Sequence, residues 1–139
     1  MSYLLDTNVV NELRKSQHRS DPLVRRWVGS QPSHALFLSV VSVLELEIGV
    51  IRVERRDSRQ GRSLRRWLEE RVLPAFERQI LPVDLAVARR AASLHVPDPR
   101  PERDALIAAT ALVHGLKLVT RTASDFEPSG VEVIDPWSG

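Results

Sequence analysis

The stretch Tyr3-Leu4-Leu5-Asp6-Thr7-Asn8 joins three apolar residues to an acid and two further polar residues. Its apolar part is typical of a short buried strand. Its polar part supplies capping side chains for a helix that we expect to end near Leu13 or Arg14. Asp6 is therefore predicted to lie where a strand meets a helix, and the rest of the chain repeats this order of elements.

Helical and strand-like segments alternate through the remaining sequence. We predict helices over residues 22–28, from 39 or 42 to 53, 58–76, 85–95 and 101–114, and strands over residues 35–38, 80–83, 117–120 and 131–134. Strands that alternate with helices favour a parallel-sheet α/β sandwich. The functional sites of such folds lie at the carboxyl ends of the strands.

The composition favours one domain spanning residues 1–139. A chain of 139 residues with 42% hydrophobic content can bury one core, but not two comfortable ones. Cysteine is absent, which excludes disulfides, thiolate metal sites and cysteine nucleophiles. Because the sequence has no leader-like segment and no membrane-spanning stretch, we expect a soluble, cytoplasmic protein that does not contact membranes.

Arginine supplies most of the positive charge. Of the 20 basic residues, 18 are arginine, and residues 52–71 hold eight arginines against four acids. Arginine binds phosphate more specifically than lysine does, although a GC-rich genome explains the same composition equally well. Residues 52–71 thus form a basic amphipathic arm, and either a solvated helix face or a surface for RNA or a partner protein accounts for it.

Four acids border apolar segments, and they are the candidate site residues: Asp6, Glu45, Asp104 and Asp125. A buried carboxylate is costly unless it is protonated, paired or bound to a cation. Several carboxylates in one cleft repel each other, and Mg²⁺ or Mn²⁺ held by oxygen ligands relieves that repulsion. Three of these four positions are expected near the same sheet edge, and this joint placement points to metal-assisted phosphate chemistry.

Each acid also has a purely structural explanation. Asp6 is well placed to cap the following helix, and Asp104 to interact with the positive end of its own helix dipole. Glu45 has arginines about two and three turns further along the same helix as possible ion-pair partners, namely Arg52 and Arg55. Asp125, in the loop after Leu118-Val119, is of a residue type that commonly stabilises turns by hydrogen bonds to the local backbone. No glycine-rich phosphate loop and no nucleophile elbow occurs in the sequence to suggest a different site.

Four sequence blocks, in order, resemble the signature blocks of VapC-type toxins, which are PIN-domain ribonucleases. They cover nearly the whole chain and comprise residues 6–10 (DTNVV), 43–50 (VLELEIGV), 103–111 (RDALIAATA) and 118–121 (LVTR), followed by a Val-Ile-Asp-Pro-Trp tail. The resemblance implies a three-layer α/β/α sandwich with a central, mostly parallel sheet. It also implies a homodimer and an endoribonuclease that acts on RNA such as tRNA or rRNA and is neutralised by a VapB-type antitoxin.

The resemblance also assigns roles to individual residues. Asp6 and Asp104 match the dependable ligands of an Mg²⁺ or Mn²⁺ ion, and Glu45 matches the third acid. Thr7 matches a hydroxyl position that holds a carboxylate or a water on the ion. The implied reaction is attack of a metal-bound water on a phosphodiester, with Arg121 and the arginines of the arm as candidates for holding the RNA backbone.

The fourth acidic position departs from the family pattern. Some relatives have an acid or asparagine directly after the Thr-Arg pair, where this chain has Thr122. Asp125, three residues later, is the candidate replacement. Two alternatives stay open at this point. One is an RNA-binding or regulatory module of this fold that has lost turnover. The other, a phosphatase of the haloacid-dehalogenase type, is disfavoured because Asn8 stands where that chemistry needs a second aspartate.

Overall fold

Five short parallel strands form the centre of the computed structural model, which describes residues 1–138. The strands are β1 (Tyr3–Leu5), β2 (Leu36–Ser39), β3 (Ile80–Leu81), β4 (Lys117–Val119) and β5 (Val133–Ile134). They lie in the order β3-β2-β1-β4-β5, and every neighbouring pair is parallel. The N-terminal strand is thus the middle strand, between β2 and β4.

The helices cover both faces of this sheet. They are α1 (Thr7–Arg14), α2 (Pro22–Gly29), α3 (Val40–Arg56), α4 (Ser58–Trp67), α5 (Leu73–Ala75), α6 (Leu85–Leu94), α7 (Glu102–His114) and α8 (Ala123–Phe126). Leu5 of β1 packs in a core with residues of α1 to α4, whereas its neighbour Leu4 packs with residues of α7 and α8. Successive side chains of a strand point to opposite faces, so these two cores lie on opposite sides of the sheet. The predicted three-layer α/β/α sandwich is confirmed.

Several predicted boundaries were wrong in detail. The helix predicted over residues 58–76 is interrupted, because a π-helical turn at Leu68–Val72 separates α4 from α5. The strands at residues 80–83 and 131–134 are only two residues long. Asp125 lies in α8, not in a loop. Short helical turns such as α8 bury a single large side chain, here Phe126, and carry no periodic pattern that a sequence could reveal.

Arg65 links α3 and α4, the two helices that carry the basic arm. Arg65 of α4 contacts Glu47 at 2.8 Å and Glu54 at 3.0 Å, both on α3. These carboxylates raise the pKa of the Arg65 guanidinium above its usual range. Gly61 is buried where α4 lies directly against the backbone of Glu54. One arginine of the arm, Arg65, therefore forms ion pairs between the two helices and is not simply a solvated surface charge.

No helix within residues 1–138 combines the length and the apolar character that crossing a membrane requires.

Candidate active site

The carboxyl edge of the sheet gathers most of the predicted site residues. Asp6 directly follows β1 and is the N-cap of α1. Glu45 lies in α3, the helix that follows β2, and Asp104 lies in the first turn of α7. Asp125 lies in α8, shortly after β4. Because parallel strands end at the same edge, the connections after β1, β2 and β4 bring Asp6, Glu45 and Asp125 into one region. Asp104 lies there too, since α7 leads into the amino end of β4 and therefore starts near the carboxyl edge.

Asp6 is the most buried of these acids. It is only 7% exposed, and it accepts hydrogen bonds from the Thr7 backbone N–H at 2.8 Å and from the Thr120 hydroxyl at 2.7 Å. Within residues 1–138 no basic side chain lies within 4.0 Å of it. Burial raises its pKa to about 6, because desolvation outweighs the two hydrogen bonds that stabilise the charged form.

Glu45 is held next to Asp6 by the residue that follows Asp6. The Thr7 hydroxyl donates to Glu45 Oε1 at 2.6 Å, and the Ser42 hydroxyl oxygen lies 2.9 Å from Thr7 Oγ1. The other carboxylate oxygen of Glu45 lies 3.6 Å from Arg103 of α7. The ion pairs considered for Glu45 within its own helix do not form, because its side chain points to α1 and α7.

Asp104 and Asp125 share a recess of about 320 Å³. Its wall also contains Arg100, Pro101, Ser124 and Pro128. The pKa of Asp104 is raised, first by burial and then by the negative charges of Asp125 and Glu45. The negative charges of Glu45 and Asp104 likewise raise the pKa of Asp6, although burial is the larger cause. Asp6 and Asp104 thus lie close enough to neighbouring carboxylates for those negative charges to raise the pKa of both groups, as happens among clustered carboxylates in active sites.

Thr120 is a site residue that the sequence did not reveal. It is fully buried at the end of β4, and besides donating to Asp6 it accepts a hydrogen bond from Asn8 Nδ2 at 3.3 Å. Thr122, at the position of the missing acid, donates its backbone N–H to the Thr120 hydroxyl at 3.2 Å. The only available signal was the position of Thr120 at the end of a strand, which does not reveal the partner of its hydroxyl group.

The donor chemistry of this region suits a hard divalent cation. All the acids offer oxygen ligands, and Asp6 is a buried carboxylate that has no positive partner among residues 1–138. The side chains are not yet arranged as a cage, since no three histidine, cysteine, aspartate or glutamate side chains of residues 1–138 form a group able to hold a metal ion. One carboxylate oxygen of Glu45 lies 3.6 Å from Arg103, so this arginine would compete with an ion for that carboxylate. The ligand types therefore suit Mg²⁺ or Mn²⁺, although the side chains do not surround a single ion position within residues 1–138.

Comparison with known proteins places this geometry in a family. Residues 3–126 match the family model described as PIN domain. The chain is 37% identical to VapC ribonuclease Y4jK of Sinorhizobium fredii, over 96% of both chains. It is a VapC-type PIN domain.

A toxin and its solved structure are similar to this PIN domain over nearly their whole length. Toxin FitB of Neisseria gonorrhoeae is 34% identical, and the match covers 96% of this chain and 97% of FitB. The crystal structure of FitAcB from the same organism superposes with a TM-score of 0.88 and 33% identity, over 97% of this chain and 98% of that one. The resemblance to PIN-domain toxins is therefore confirmed.

All four acids of the PIN domain lie within the matched residues 3–126. Arg121, the candidate RNA ligand, lies there as well. It follows Thr120 at the carboxyl edge, and its guanidinium lies over the ring of Trp137, which is beyond the matched range. The tail of the chain thus contacts the edge of the sheet on which the acids lie.

Proposed function

We propose that this PIN domain is an endoribonuclease toxin that requires Mg²⁺ or Mn²⁺, acts on tRNA or rRNA, and is neutralised by a VapB-type antitoxin. The observation that supports this most is the set of acids at the carboxyl edge in a chain that matches a VapC ribonuclease over 96% of both lengths. Acids in this position are the feature that phosphodiester hydrolysis with a metal ion needs.

In this proposal Asp6, Glu45 and Asp104 hold the ion, and Asp125 completes the acidic set in place of Thr122. The bound ion supplies Lewis-acid activation of the scissile phosphate and of the attacking water. Thr7 fixes Glu45, and Thr120 fixes Asp6, each through a hydroxyl hydrogen bond. These two threonines orient the carboxylates before any ligand binds, as outer-shell partners of metal ligands do.

Two cavities flank the acids and offer a path for an RNA strand. The recess beside Asp104 and Asp125 contains Arg100. A groove of about 420 Å³ borders Glu45 on the other side, and its wall contains Arg14 and Arg56. Arginine side chains at both ends of an acidic centre can hold the phosphates next to the scissile bond without reading the base sequence.

The partners follow from the relatives and from the surface. The solved structures similar to this PIN domain include FitAcB from Neisseria gonorrhoeae and a toxin–antitoxin complex from Klebsiella pneumoniae. By analogy we propose that an antitoxin covers the site of this PIN domain. The exposed apolar side chains Val40 and Leu44, one turn apart on α3, lie on a face that a second copy would cover in the proposed homodimer.

Cleavage of a purified tRNA and rRNA pool by antitoxin-free protein tests this function. The comparison includes Mg²⁺, Mn²⁺, excess chelator, and the variants Asp6→Asn and Glu77→Gln. Glu77 is an exposed acid in the turn before β3, at the opposite sheet edge, and serves as the matched control. We expect discrete fragments that disappear with chelator and with Asp6→Asn but persist with Glu77→Gln. Undiminished cleavage by Asp6→Asn would reject the site. A folded wild-type protein that binds RNA but never cleaves it would favour a module without turnover.

A further inference from the structure

The C-terminal residues form a defined turn around Asp135. Its Oδ1 accepts the Trp137 backbone N–H at 2.9 Å, and its Oδ2 accepts the Ser138 hydroxyl at 3.0 Å. An aspartate that accepts the N–H two residues later fixes the local backbone in an Asx turn. The half-buried Trp137 side chain packs against the core formed by β1 and α1 to α4. The turn therefore holds the indole ring in one place.

Arg121 lies over this ring. Its guanidinium carbon is 5.4 Å from the centre of the Trp137 ring, within the range of a cation–π interaction. Its backbone N–H lies 3.3 Å from Asn8 Oδ1, and Asn8 also bonds to Thr120. Both ends of the Arg121 residue are thus anchored, the backbone beside the Asp6 site and the guanidinium on the tail.

The charge of Arg121 remains available to a ligand. Within residues 1–138 no carboxylate lies within 4.0 Å of its guanidinium, and the residue is exposed. A guanidinium that lies over an aromatic ring keeps its positive charge, and those of its five N–H donors that do not point at the ring can bind a phosphate. The contact with the ring also limits the rotamers of a long side chain, so less conformational freedom is lost when a ligand binds.

We propose that Trp137 is a positioning residue for RNA binding. It holds Arg121 at the rim of the acidic site, where Arg121 binds a backbone phosphate of the RNA. This inference rests on the proposed ribonuclease function and extends it to the tail beyond the matched family residues. It also gives the Val-Ile-Asp-Pro-Trp segment a specific role, with Asp135 shaping the turn and Trp137 providing the ring.

The competing explanation is structural. In it Trp137 only fills the core, and Arg121 only provides a favourable charge for the buried carboxylate of Glu12, whose pKa is lowered first by Lys15 and in small part by Arg121. The two explanations differ in how substitutions at Trp137 and Arg121 combine. A positioning role requires the effect of Trp137 on RNA binding to vanish when Arg121 is absent. A packing role does not.

The test measures binding of a fluorescein-labelled, mixed-sequence single-stranded RNA by anisotropy, with chelator present, over a series of salt concentrations. The variants are Trp137→Leu, which keeps an apolar side chain but has no aromatic face, Trp137→Phe, which keeps a face, and Arg121→Gln. Arg78→Gln is the matched control, because Arg78 is an exposed arginine in the turn before β3. Thermal melts establish that each variant is folded.

We expect Arg121→Gln to reduce the salt dependence of binding by about 0.7 in the log–log slope, the value for one phosphate contact on a single strand. Trp137→Leu should weaken binding about two- to fivefold and reduce the slope in the same direction, whereas Trp137→Phe and Arg78→Gln should retain nearly the wild-type slope. In the Arg121→Gln background, Trp137→Leu should have no further effect.

Equal effects of Trp137→Leu with and without Arg121 would overturn the positioning role, as would an unchanged slope in folded Trp137→Leu protein. If the wild-type protein cleaves RNA in the presence of metal, but the effects of the Trp137 and Arg121 substitutions on RNA binding are independent, this inference alone fails. If the wild-type protein neither binds nor cleaves RNA, the proposed function fails and this inference fails with it.

Discussion

Replacing Gly61 with alanine is expected to destabilise the fold, although alanine is the better helix former. A Cβ atom at Gly61 would lie 2.4 Å from Glu54 Cα, 2.7 Å from Glu54 Cγ and 2.9 Å from Glu54 N. Favourable carbon–carbon contacts are about 3.5–4.0 Å. Since two of these atoms belong to the backbone, a new rotamer of Glu54 cannot relieve the overlap, and α4 has to move away from α3.

The size of the effect follows from two opposing contributions. Alanine in place of glycine within a helix gains about 1 kcal/mol. Overpacking costs about 1–3 kcal/mol, and the upper end applies here because the obstacle is backbone. The free energy of unfolding should therefore fall by about 2 kcal/mol, which lowers the melting temperature by about 6 °C in a domain of this size. Separation of the helices also weakens the contacts of Arg65 with Glu54.

Gly49 provides the matched control in the same helix pair. It is an exposed glycine in α3, and among residues 1–138 no atom outside the adjoining residues and backbone of its own helix lies within 4 Å of its added Cβ. Gly49→Ala should therefore raise the free energy of unfolding by about 1 kcal/mol. Urea unfolding followed by circular dichroism, with chelator and without antitoxin, measures the free energy of unfolding of both variants. We expect the dependence of that free energy on urea concentration to be the same as in the wild type. A Gly61→Ala variant as stable as the wild type, or two substitutions with effects of the same sign, would refute the packing of α3 against α4 described above.

Two further predictions concern the acidic site. Because the folded-state pKa of Asp6, about 6, lies above its ordinary value of 3.8, the folded state binds this proton more tightly, and stability is lost as pH rises from about 4 to about 6. Asp6→Asn should therefore stabilise the metal-free protein by about 1–3 kcal/mol at neutral pH while abolishing cleavage, and the gain should shrink toward pH ~4 in denaturant titrations. A variant less stable than the wild type at neutral pH would contradict the unpaired burial of Asp6. Thr120→Val, which removes the donor to Asp6, should lower metal affinity or cleavage about 10-fold or more, whereas Thr120→Ser should retain both. Calorimetric titration with Mn²⁺ gives the metal affinity of both variants, and cleavage assays give their rates. Equal affinities and rates for Thr120→Val and Thr120→Ser would exclude a role for the Thr120 hydroxyl.

The fold could be predicted largely because its signals are local. The apolar run of residues 3–5, the capping chemistry at Asp6 and the glycine after His114 each report on a few neighbouring residues. The interruption after Trp67 could not be predicted in this way. The apolar spacing continues through Leu68 and Val72, both of which are buried, so the pattern gives no sign that the helical turn widens there.

The candidate site was predictable only as a set of acids. The positions of Asp6, Glu45 and Asp104 relative to predicted elements indicated the sheet edge. Their hydrogen-bond partners did not emerge from the sequence, because the Thr120 hydroxyl comes from a residue 114 positions after Asp6. Such partners depend on strand order, and an alternating pattern of strands and helices does not determine which strands become neighbours.

The central place of β1 has a consequence for how the toxin comes into being. During synthesis Asp6 emerges early, but the strand that supplies Thr120 to it follows more than 100 residues later. Contacts between such distant segments form late, because a long loop must close before they are gained. A nascent chain that has not yet added β4 therefore carries the first acid without the partner that orients it. The hazardous activity proposed for this protein would then arise only once most of the polypeptide has been made, when an antitoxin can meet a folded target.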